Sequence, residues 1–290
     1  MERQVGIVGL GIMGSAMARN LVERKWTVFG FDLDAAKCAD MAAAGVAICD
    51  TVADVARHAP LIITSLPSPA AATAVATDIA GSGAPSRIVM EASTLALEDK
   101  HAFAAILTKA GHKPLDCPIS GTGAQAVNRD LIIYASGDSE AIKTAMPLFA
   151  DFSKQAADVG AFGNGTRMKY VANHLVAIHN VATAEAMIMA EKAGLNLDQV
   201  VELVGGGAGG SRMFQMRAPM MVKHVYEPAT MRISTWDKDM HIIGAFAAEL
   251  NVPTPIFNAT IPIYDEALRM GLGPQDTAAV HTVMSSGMKS

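Results

Sequence analysis

Aromatic residues and cysteines are scarce in this sequence, and its net charge is small. Phe, Trp and Tyr make up 5% of the 290 residues, which disfavours an aromatic-rich all-β barrel and favours closely packed helices. The three cysteines, Cys38, Cys49 and Cys117, are odd in number and lack CxxC spacing, so neither a disulfide framework nor a zinc site is expected. The 23 basic and 28 acidic residues give a net charge of −5, which argues against nucleic acid or an anionic membrane as partner.

Long apolar runs and several catalytic signatures are missing as well. The most apolar stretch, residues 171–190, contains five strongly polar or charged side chains, which make it a poor membrane span. No signal-peptide cleavage pattern follows the first apolar run, so we predict a cytoplasmic protein. No histidines show HxxxH or HExxH spacing, and GxSxG is absent, so we predict neither a metal site nor a serine nucleophile.

Short apolar runs alternate with Ala-rich helical segments in the first half of the chain. This alternation predicts an α/β domain with a doubly wound parallel sheet and right-handed crossovers. The predicted strands are Gln4–Val8, Thr27–Phe31, Leu61–Thr64, Ile88–Glu91, Lys113–Asp116 and Leu131–Ser136.

The pattern changes near Gly160, after which strand signals largely stop and helical segments follow. The longest of these segments, predicted over Thr166–Ala193, leads into an all-helical region. A prior of about 150 residues per domain also suggests two domains. We therefore predict a dinucleotide-binding domain over residues 1–162 and an all-α domain over 163–290, joined by a long interdomain helix.

A glycine-rich segment follows the first predicted strand and opens the first helix. Gly9 permits a tight turn, Gly11 lets the backbone approach a pyrophosphate, and Gly14 lets helix and strand pack closely. The helix N-terminus then offers N–H groups and a positive dipole end to the phosphates. This context indicates a Rossmann-type dinucleotide site, formed by Gly9, Leu10, Gly11, Ile12, Met13 and Gly14.

An acidic residue ends the second predicted strand at the expected distance from these glycines. Asp32 matches the acid that hydrogen-bonds the adenosine ribose hydroxyls, about 20 residues further on. Because an acid there repels a 2′-phosphate and no Arg follows directly, NAD is favoured over NADP. The alternative is that Asp32 is a strand-end turn residue.

The long predicted helix carries a polar stripe. At about 100° per residue, Lys169, Asn173 and Asn180 share one face, opposite an apolar face that includes Val171 and Met189. One interpretation is an amphipathic helix with a solvated polar face. The other is a substrate-binding stripe where two domains meet, in which the Lys169 ammonium donates a proton to a carbonyl that becomes an alkoxide.

Together these segments resemble the β-hydroxyacid dehydrogenase family over nearly the whole chain. That family includes 3-hydroxyisobutyrate dehydrogenases and tartronate semialdehyde reductases, with 6-phosphogluconate dehydrogenase as a larger relative. Four segments carry the resemblance: the glycine segment with Met13, Asp116-Cys117-Pro118-Ile119-Ser120-Gly121, the GxGxxxKxxxN pattern of Gly163, Gly165, Lys169 and Asn173, and the Lys238-Asp239 pair.

The resemblance implies hydride transfer between NAD(P) and the alcohol carbon of a short β-hydroxy acid, or reduction of the matching semialdehyde. Lys169 would be the general acid and base, and Asn173 would hold the substrate hydroxyl or carboxylate. It also implies a small acidic substrate and a homodimer or homotetramer. The remaining implied residues are Ser120, Gly121 and Thr122 for substrate; Leu66, Pro67, Thr94 and Lys238 for the nicotinamide end; and Asp239 as support.

One segment departs from the family pattern of Ser-Gly-Gly followed by Gly-Ala. Here Ser120-Gly121-Thr122 is followed by Gln125-Ala126. Thr122 restricts φ where a glycine is free, and we expect Gly123 to restore the turn by a local shift. The departure predicts a substrate preference that differs from the usual one.

Two other functions are compatible with a dinucleotide-binding scaffold. One is an imine reductase, which need not carry a lysine at position 169. The other is a non-catalytic dinucleotide-binding protein, which would not need Lys169 at all. The Lys169 and Asn173 pair favours the hydroxyacid hypothesis over both.

Overall fold

The computed structural model describes residues 3–287 and divides into two compact units, residues 1–169 and 170–290, called here the N-terminal and C-terminal units. Residues 1–2 and 288–290, at the ends of the two predicted domains, lie outside the described residues. The unit boundary falls inside one helix, and the domain boundary predicted between residues 162 and 163 stays a prediction.

The N-terminal unit is built on one nine-stranded sheet with the order β3-β2-β1-β4-β5-β6-β8-β7, in which β9 pairs with β8. The order reverses at β1, which pairs with β2 on one side and β4 on the other, and ligands of doubly wound sheets bind at such a point. The strands are β1 Gln4–Val8, β2 Thr27–Phe31, β3 Ala47–Ile48, β4 Leu61–Thr64, β5 Ile88–Glu91, β6 Lys113–Asp116, β7 Ile119–Ser120, β8 Ile132–Gly137 and β9 Gln155–Asp158.

The far side of the sheet corrects our prediction of an all-parallel arrangement. Strand β8 runs antiparallel to both β6 and β7. The connection between β7 and β8, residues 121–131, contains the short helix α6, Gly123–Val127, and returns the chain antiparallel to β7. The prediction also lacked three short strands, because β3 and β7 have only two residues each and β9, with the sequence QAAD, has no apolar run.

Helices cover both faces of this sheet, because successive strand residues point to opposite sides. On β1, Ile7 joins one buried cluster with Met17 and Phe149, and Val8 joins the other with Phe103. The helices of the N-terminal unit are α1 Ile12–Glu23, α2 Ala35–Ala43, α3 Val52–His58, α4 Pro69–Ala80, α5 Leu97–Lys109, α6 Gly123–Val127 and α7 Ser139–Phe152.

The C-terminal unit is helical, and α8 enters it from the N-terminal unit as one continuous helix, Asn164–Lys192. Trp236 and Tyr264 lie in its apolar core, and a buried Arg217–Asp276 ion pair accompanies them. A Rossmann-type domain followed by an all-α domain is therefore confirmed. The remaining helices are α9 Leu197–Gly206, α10 Arg212–Lys223, α11 Ile233–Glu249, α12 Pro255–Arg269 and α13 Val280–Ser285, with a 3-10 turn at Thr277–Ala279.

Candidate active site

The glycine segment turns sharply between β1 and α1, and two of its glycines have no room for a side chain. Gly9 has φ +94°, and a Cβ there would collide with the carbonyl oxygen of Ser65. A Cβ on Gly14 would collide with the carbonyl oxygen of Gly9. Gly11, by contrast, faces open space, so its surface is accessible to a ligand.

The start of α1 fits a dinucleotide phosphate. Gly11 is the N-cap, and no side chain caps the first turn, which therefore keeps N–H groups available for an anion. No acidic residue lies in that turn to repel a phosphate. When bound here, a nicotinamide dinucleotide would be held at its pyrophosphate by this helix end.

Asp32 is joined directly to the glycine segment. Its Oδ2 accepts a hydrogen bond from the backbone N–H of Leu10 at 2.7 Å, and its Oδ1 accepts one from the N–H of Asp34 at 2.9 Å. The Lys37 ammonium lies 3.5 Å from Oδ1. Asp32 thus shapes the strand-end turn and also borders the glycine segment, so the two interpretations of this residue are compatible.

The ends of β4 and β5 meet beside each other. The backbone N–H of Leu66 donates to the Ser93 hydroxyl at 2.7 Å, and the N–H of Ser93 donates to Glu91 Oε1 at 3.0 Å. This contact brings the Leu66-Pro67 turn next to the loop that contains Thr94.

The departure at Thr122 and Gln125 is a coupled pair. The Gln125 side-chain oxygen accepts from the Thr122 N–H at 3.0 Å and from its hydroxyl at 3.3 Å, as the N-cap and N3 residues of α6. Thr122 has φ −101°, which any residue adopts, and the positive φ of +139° falls on Gly121. Our expectation that Gly123 restores the turn is therefore wrong. A Cβ on Gly123 would instead collide with Ile12, so α6 lies against the glycine segment.

An ion cluster that the sequence analysis missed lies under the ends of β5 and β6. Glu91 and Asp116 are register neighbours, and the Lys100 ammonium from α5 contacts Glu91 Oε2 and lies 3.1 Å from Asp116 Oδ1. All three side chains are fully buried. Burial lowers the pKa of Lys100, but the two carboxylates outweigh it and raise that pKa above its ordinary value. Two acids at neighbouring strand ends were the only sequence signal, because a helical lysine usually faces solvent.

Asp116 also holds the start of α8. Its Oδ2 accepts the backbone N–H of Thr166 at 2.7 Å, and its Oδ1 accepts the Thr166 hydroxyl at 2.8 Å. The Ser136 hydroxyl donates to the Asp116 backbone oxygen at 3.1 Å and accepts from the N–H of Gly165 at 3.0 Å. The helix that carries Lys169 is thus bonded to the strand that leads to Ser120.

The polar stripe of α8 is buried and the apolar stripe is exposed. Lys169, Asn173 and Asn180 have 8%, 4% and 0% of their surface exposed, whereas Val171 and Met189 have 57% and 71%. The interpretation as a solvated polar face is therefore wrong. Buried lysine and asparagine side chains require polar partners within the protein or from a ligand.

Asn173 has a buried acidic partner in the C-terminal unit. Its Nδ2 donates to Asp239 Oδ2 at 3.0 Å, and the Lys238 ammonium lies 3.5 Å from Asp239 Oδ1. Asn173 and the Lys238-Asp239 pair, predicted from separate motifs, are thus brought together.

The predicted site residues therefore form two groups. The N-terminal unit contains the glycine segment, Asp32, the strand ends around Leu66 and Thr94, the Ser120–Thr122 segment and Lys169. The C-terminal unit contains Asn173, Lys238 and Asp239. Residues 3–287 contain no cluster of three His, Cys, Asp or Glu side chains arranged for a metal ion. No helix in that range has the length and apolar character to cross a membrane.

Family models match the chain in two consecutive parts. Residues 4–162 match the NAD binding domain of 6-phosphogluconate dehydrogenase, and residues 163–284 match the model described as NAD-binding of NADP-dependent 3-hydroxyisobutyrate dehydrogenase. The chain is thus similar to dinucleotide-dependent dehydrogenases along almost its whole length.

Individual relatives agree with these matches. Glyoxylate/succinic semialdehyde reductase 1 of Arabidopsis thaliana is 30% identical over 96% of this chain and 96% of its own length. L-threonate dehydrogenase of Haemophilus influenzae is 30% identical over 98% and 97%. A crystal structure of 3-hydroxyisobutyrate dehydrogenase from Salmonella typhimurium superposes with a TM-score of 0.87 at 28% identity, covering 97% and 99%. The chain belongs to the β-hydroxyacid dehydrogenase family and is an oxidoreductase that uses a nicotinamide dinucleotide.

Proposed function

We propose that the protein interconverts a short-chain β-hydroxy acid and its carbonyl form, with Lys169 as general acid and base. The observation that carries this proposal is the buried polar stripe of α8, on which Lys169 lies one helical turn before Asn173. A helix with a solvated polar face would instead expose its polar residues and bury Val171 and Met189. An imine reductase, considered above, would not need this pair.

The lysine can serve both directions of the reaction. In reduction, the Lys169 ammonium donates a proton to the substrate carbonyl oxygen as it becomes an alcohol oxygen. In oxidation, the neutral amine removes the hydroxyl proton. A bound nicotinamide dinucleotide supplies the hydride in the first direction and accepts it in the second.

Three other groups would orient the substrate. The hydroxyl of Ser120 and the backbone N–H of Gly121 would bind the substrate carboxylate, since both donate hydrogen bonds. Asn173 would act on the substrate hydroxyl. Its Nδ2 donates one hydrogen bond to the carboxylate of Asp239, and the second N–H of the same amide can donate to a hydroxyl or carboxylate oxygen of the substrate, while Lys169 exchanges the hydroxyl proton.

We propose NAD as the preferred cofactor. Asp32 and Asp34 place two carboxylates at the end of β2, where a 2′-phosphate would meet repulsion. Lys37 offsets part of this charge from 3.5 Å, but it is half-exposed and screened by solvent. The carboxylate of Asp32 would accept hydrogen bonds from the adenosine ribose hydroxyls. Thr94 and the Leu66-Pro67 turn would line the nicotinamide end, together with Lys238.

The names of the relatives suggest where to look for the substrate. These names include dehydrogenases of L-threonate and 2-(hydroxymethyl)glutarate and a reductase of glyoxylate and succinic semialdehyde. All of these are small carboxylates with an oxygen function to oxidise or reduce. We propose that the substrate of this chain falls within this class.

An absorbance screen of NAD(H) turnover tests this function. It would cover β-hydroxy acids, their semialdehydes and cyclic imines, with NADP(H) in parallel. Replacing Lys169 with Ala should lower kcat by about 10²–10⁴-fold, the usual contribution of general acid–base catalysis, and leave NADH binding intact. The control is K143A, which changes an exposed lysine of the same unit. Unchanged turnover in K169A would refute the assignment.

We also propose a homodimer or homotetramer and keep a cytoplasmic location as a prediction. The exposed apolar stripe of α8, with Val171, Leu175 and Met189, supports self-association. Multi-angle light scattering of the purified chain gives the oligomeric state directly.

A further inference from the structure

We propose that Asp116 and Thr166 are positioning residues that hold Lys169 at its working distance from the substrate-binding segment Ser120–Thr122. This inference rests on the proposed function of Lys169. It adds that one carboxylate joins the two parts of the N-terminal unit that must act on the same substrate.

The Asp116 carboxylate accepts two hydrogen bonds from the first turn of α8. One oxygen accepts the Thr166 backbone N–H at 2.7 Å, and the other accepts the Thr166 hydroxyl at 2.8 Å. Two bonds to both oxygens of a planar group restrict the helix in rotation as well as in translation. Lys169 follows three residues later, about 4.5 Å along the helix axis at 1.5 Å per residue. A rotation of the first turn would therefore carry the ammonium with it.

The same carboxylate belongs to the segment that would bind substrate. Asp116 ends β6, and β7, which ends at Ser120, begins three residues later. A second contact supports the junction, since the Gly165 N–H donates to Ser136 Oγ at 3.0 Å. A Cβ on Gly165 would lie 2.9 Å from Pro118 Cδ and 2.8 Å from the Asp116 backbone oxygen. Glycine at 165 is thus what allows α8 to begin against this segment.

The ion cluster keeps the carboxylate in place. The Lys100 ammonium contacts Glu91 Oε2, lies 3.1 Å from Asp116 Oδ1 and donates to the Glu91 backbone oxygen at 3.2 Å, which uses all three of its donors. One cation against two carboxylates leaves a net negative charge at the start of α8. A helix N-terminus stabilises that charge. Asp116 therefore forms an ion pair with Lys100 and, with the same carboxylate, accepts hydrogen bonds from Thr166.

A purely structural role for this cluster predicts a different result from a positioning role. Replacing Lys100 would leave two buried carboxylates without a cation, and replacing Asp116 would remove several buried hydrogen bonds at once, so either variant can simply fail to fold. Thr166→Val is milder, because it removes the hydroxyl bond and keeps the backbone bond, the side-chain shape and every charge. Thr166→Ser restores the hydroxyl.

The matched control is Thr183→Val. Thr183 is a buried threonine of the same helix whose hydroxyl donates only to the carbonyl oxygen of His179, at 2.6 Å. It resembles Thr166 in burial and chemistry, and its hydrogen bond stays within α8.

The experiment measures kcat, KM, NADH affinity, melting temperature and the isotope effect with deuterated NADH on T166V, T166S and T183V. We expect T166V to lower kcat by about 10- to 100-fold, as small misplacements of catalytic groups do. KM and NADH affinity should stay within twofold, T166S should recover kcat, and T183V should keep the wild-type kcat. If T166V lowers the melting temperature like T183V and keeps kcat, the positioning role is refuted.

A readout without turnover separates this inference from the proposed function. Reductive ¹³C-methylation labels lysines, and the Lys169 signal is the one missing from K169M. A positioning role predicts that this signal shifts in T166V and keeps its place in T166S and T183V. An unmoved signal in T166V refutes the inference, and an inactive wild type with a shifted signal refutes only the proposed function.

Discussion

The side-chain amide of Asn173 donates from Nδ2 to the Asp239 carboxylate at 3.0 Å, and both residues are buried. A carboxylate accepts hydrogen bonds and cannot donate them, so it determines which end of the amide faces it. The carbonyl end of Asn173 is therefore directed away from Asp239.

Replacing Asp239 with Asn should remove this control. An amide partner can pair with either end of the Asn173 amide, so either its oxygen or its nitrogen can face the substrate. We therefore expect kcat/KM to fall about tenfold, corresponding to about 1.4 kcal/mol. Steady-state kinetics of D239N test this prediction. D237N is the control, because Asp237 lies on the same helix and pairs with the exposed His241. Equal kinetics for the two variants would contradict the orienting role of Asp239.

Replacing Asp32 with Ser should reduce the preference for NADH over NADPH. The change removes a charged acceptor, and hydrogen bonds to charged groups contribute about 1.5–3 kcal/mol, so kcat/KM for NADH should fall about 10- to 150-fold. NADPH should lose less or gain, because the repulsion of its 2′-phosphate weakens. D40N serves as control, since Asp40 forms an exposed pair with Arg19. A wild type that already prefers NADPH would overturn the NAD assignment.

Thr122 and Gln125 should act on specificity as a unit, because their side chains are hydrogen-bonded to each other. In a cycle of T122G, Q125A and the double variant, effects on kcat/KM should be non-additive by about 0.5–1.5 kcal/mol, the net contribution of one hydrogen bond. The order of preference within the substrate panel should change in the same way in both single variants. Additive effects would show that the two departures from the family pattern are independent.

The stability of the C-terminal unit should depend on the protonation of His281. Burial lowers the pKa of this histidine, the neighbouring His224 lowers it further, and Glu191 acts in the opposite direction. Because the folded pKa lies below the unfolded value of about 6.5, the folded state binds fewer protons, and stability is complete above that value. The free energy of unfolding should fall as the pH drops through about 6.5 towards the folded pKa.

Urea unfolding at pH 8 and at pH 5.5 measures this dependence. Each unit by which the folded pKa lies below the unfolded one adds about 1.4 kcal/mol to the loss, which is complete only when the pH is below both values. H281Q should show a smaller loss, and H241Q, which changes an exposed histidine, should behave like the wild type. His112 has the same direction of shift, also from burial, so H281Q should keep part of the dependence. An identical pH dependence in H281Q and the wild type would refute the prediction for His281.

The local features of this protein could be read from its sequence. Five of the six predicted strands have the predicted bounds, and the sixth, β8, is shifted by one residue. The glycine turn was predictable because a collision at Gly9 or Gly14 involves residues close in sequence or at adjacent strand ends. The pairing of Asp32 with the segment of Leu10 was predictable for the same reason, since both follow neighbouring parallel strands.

Contacts between distant segments were not predictable. Lys100 looks like an exposed helical lysine, and only the packing of α5 under β5 and β6 places it between Glu91 and Asp116. The direction of β8 was not predictable either, because the apolar composition of a strand is the same in either direction.

The sequence by itself determined the class of the fold, the glycine turn and the residue types available for chemistry, because these follow from local periodicity and spacing. Only the tertiary structure decided which face of α8 is buried. Helical periodicity separates Lys169 and Asn173 from Val171 and Met189, but it does not say which stripe faces the solvent. Buried partners decide that: Asp116 at Thr166 and Asp239 at Asn173 give α8 acceptors that water would otherwise supply.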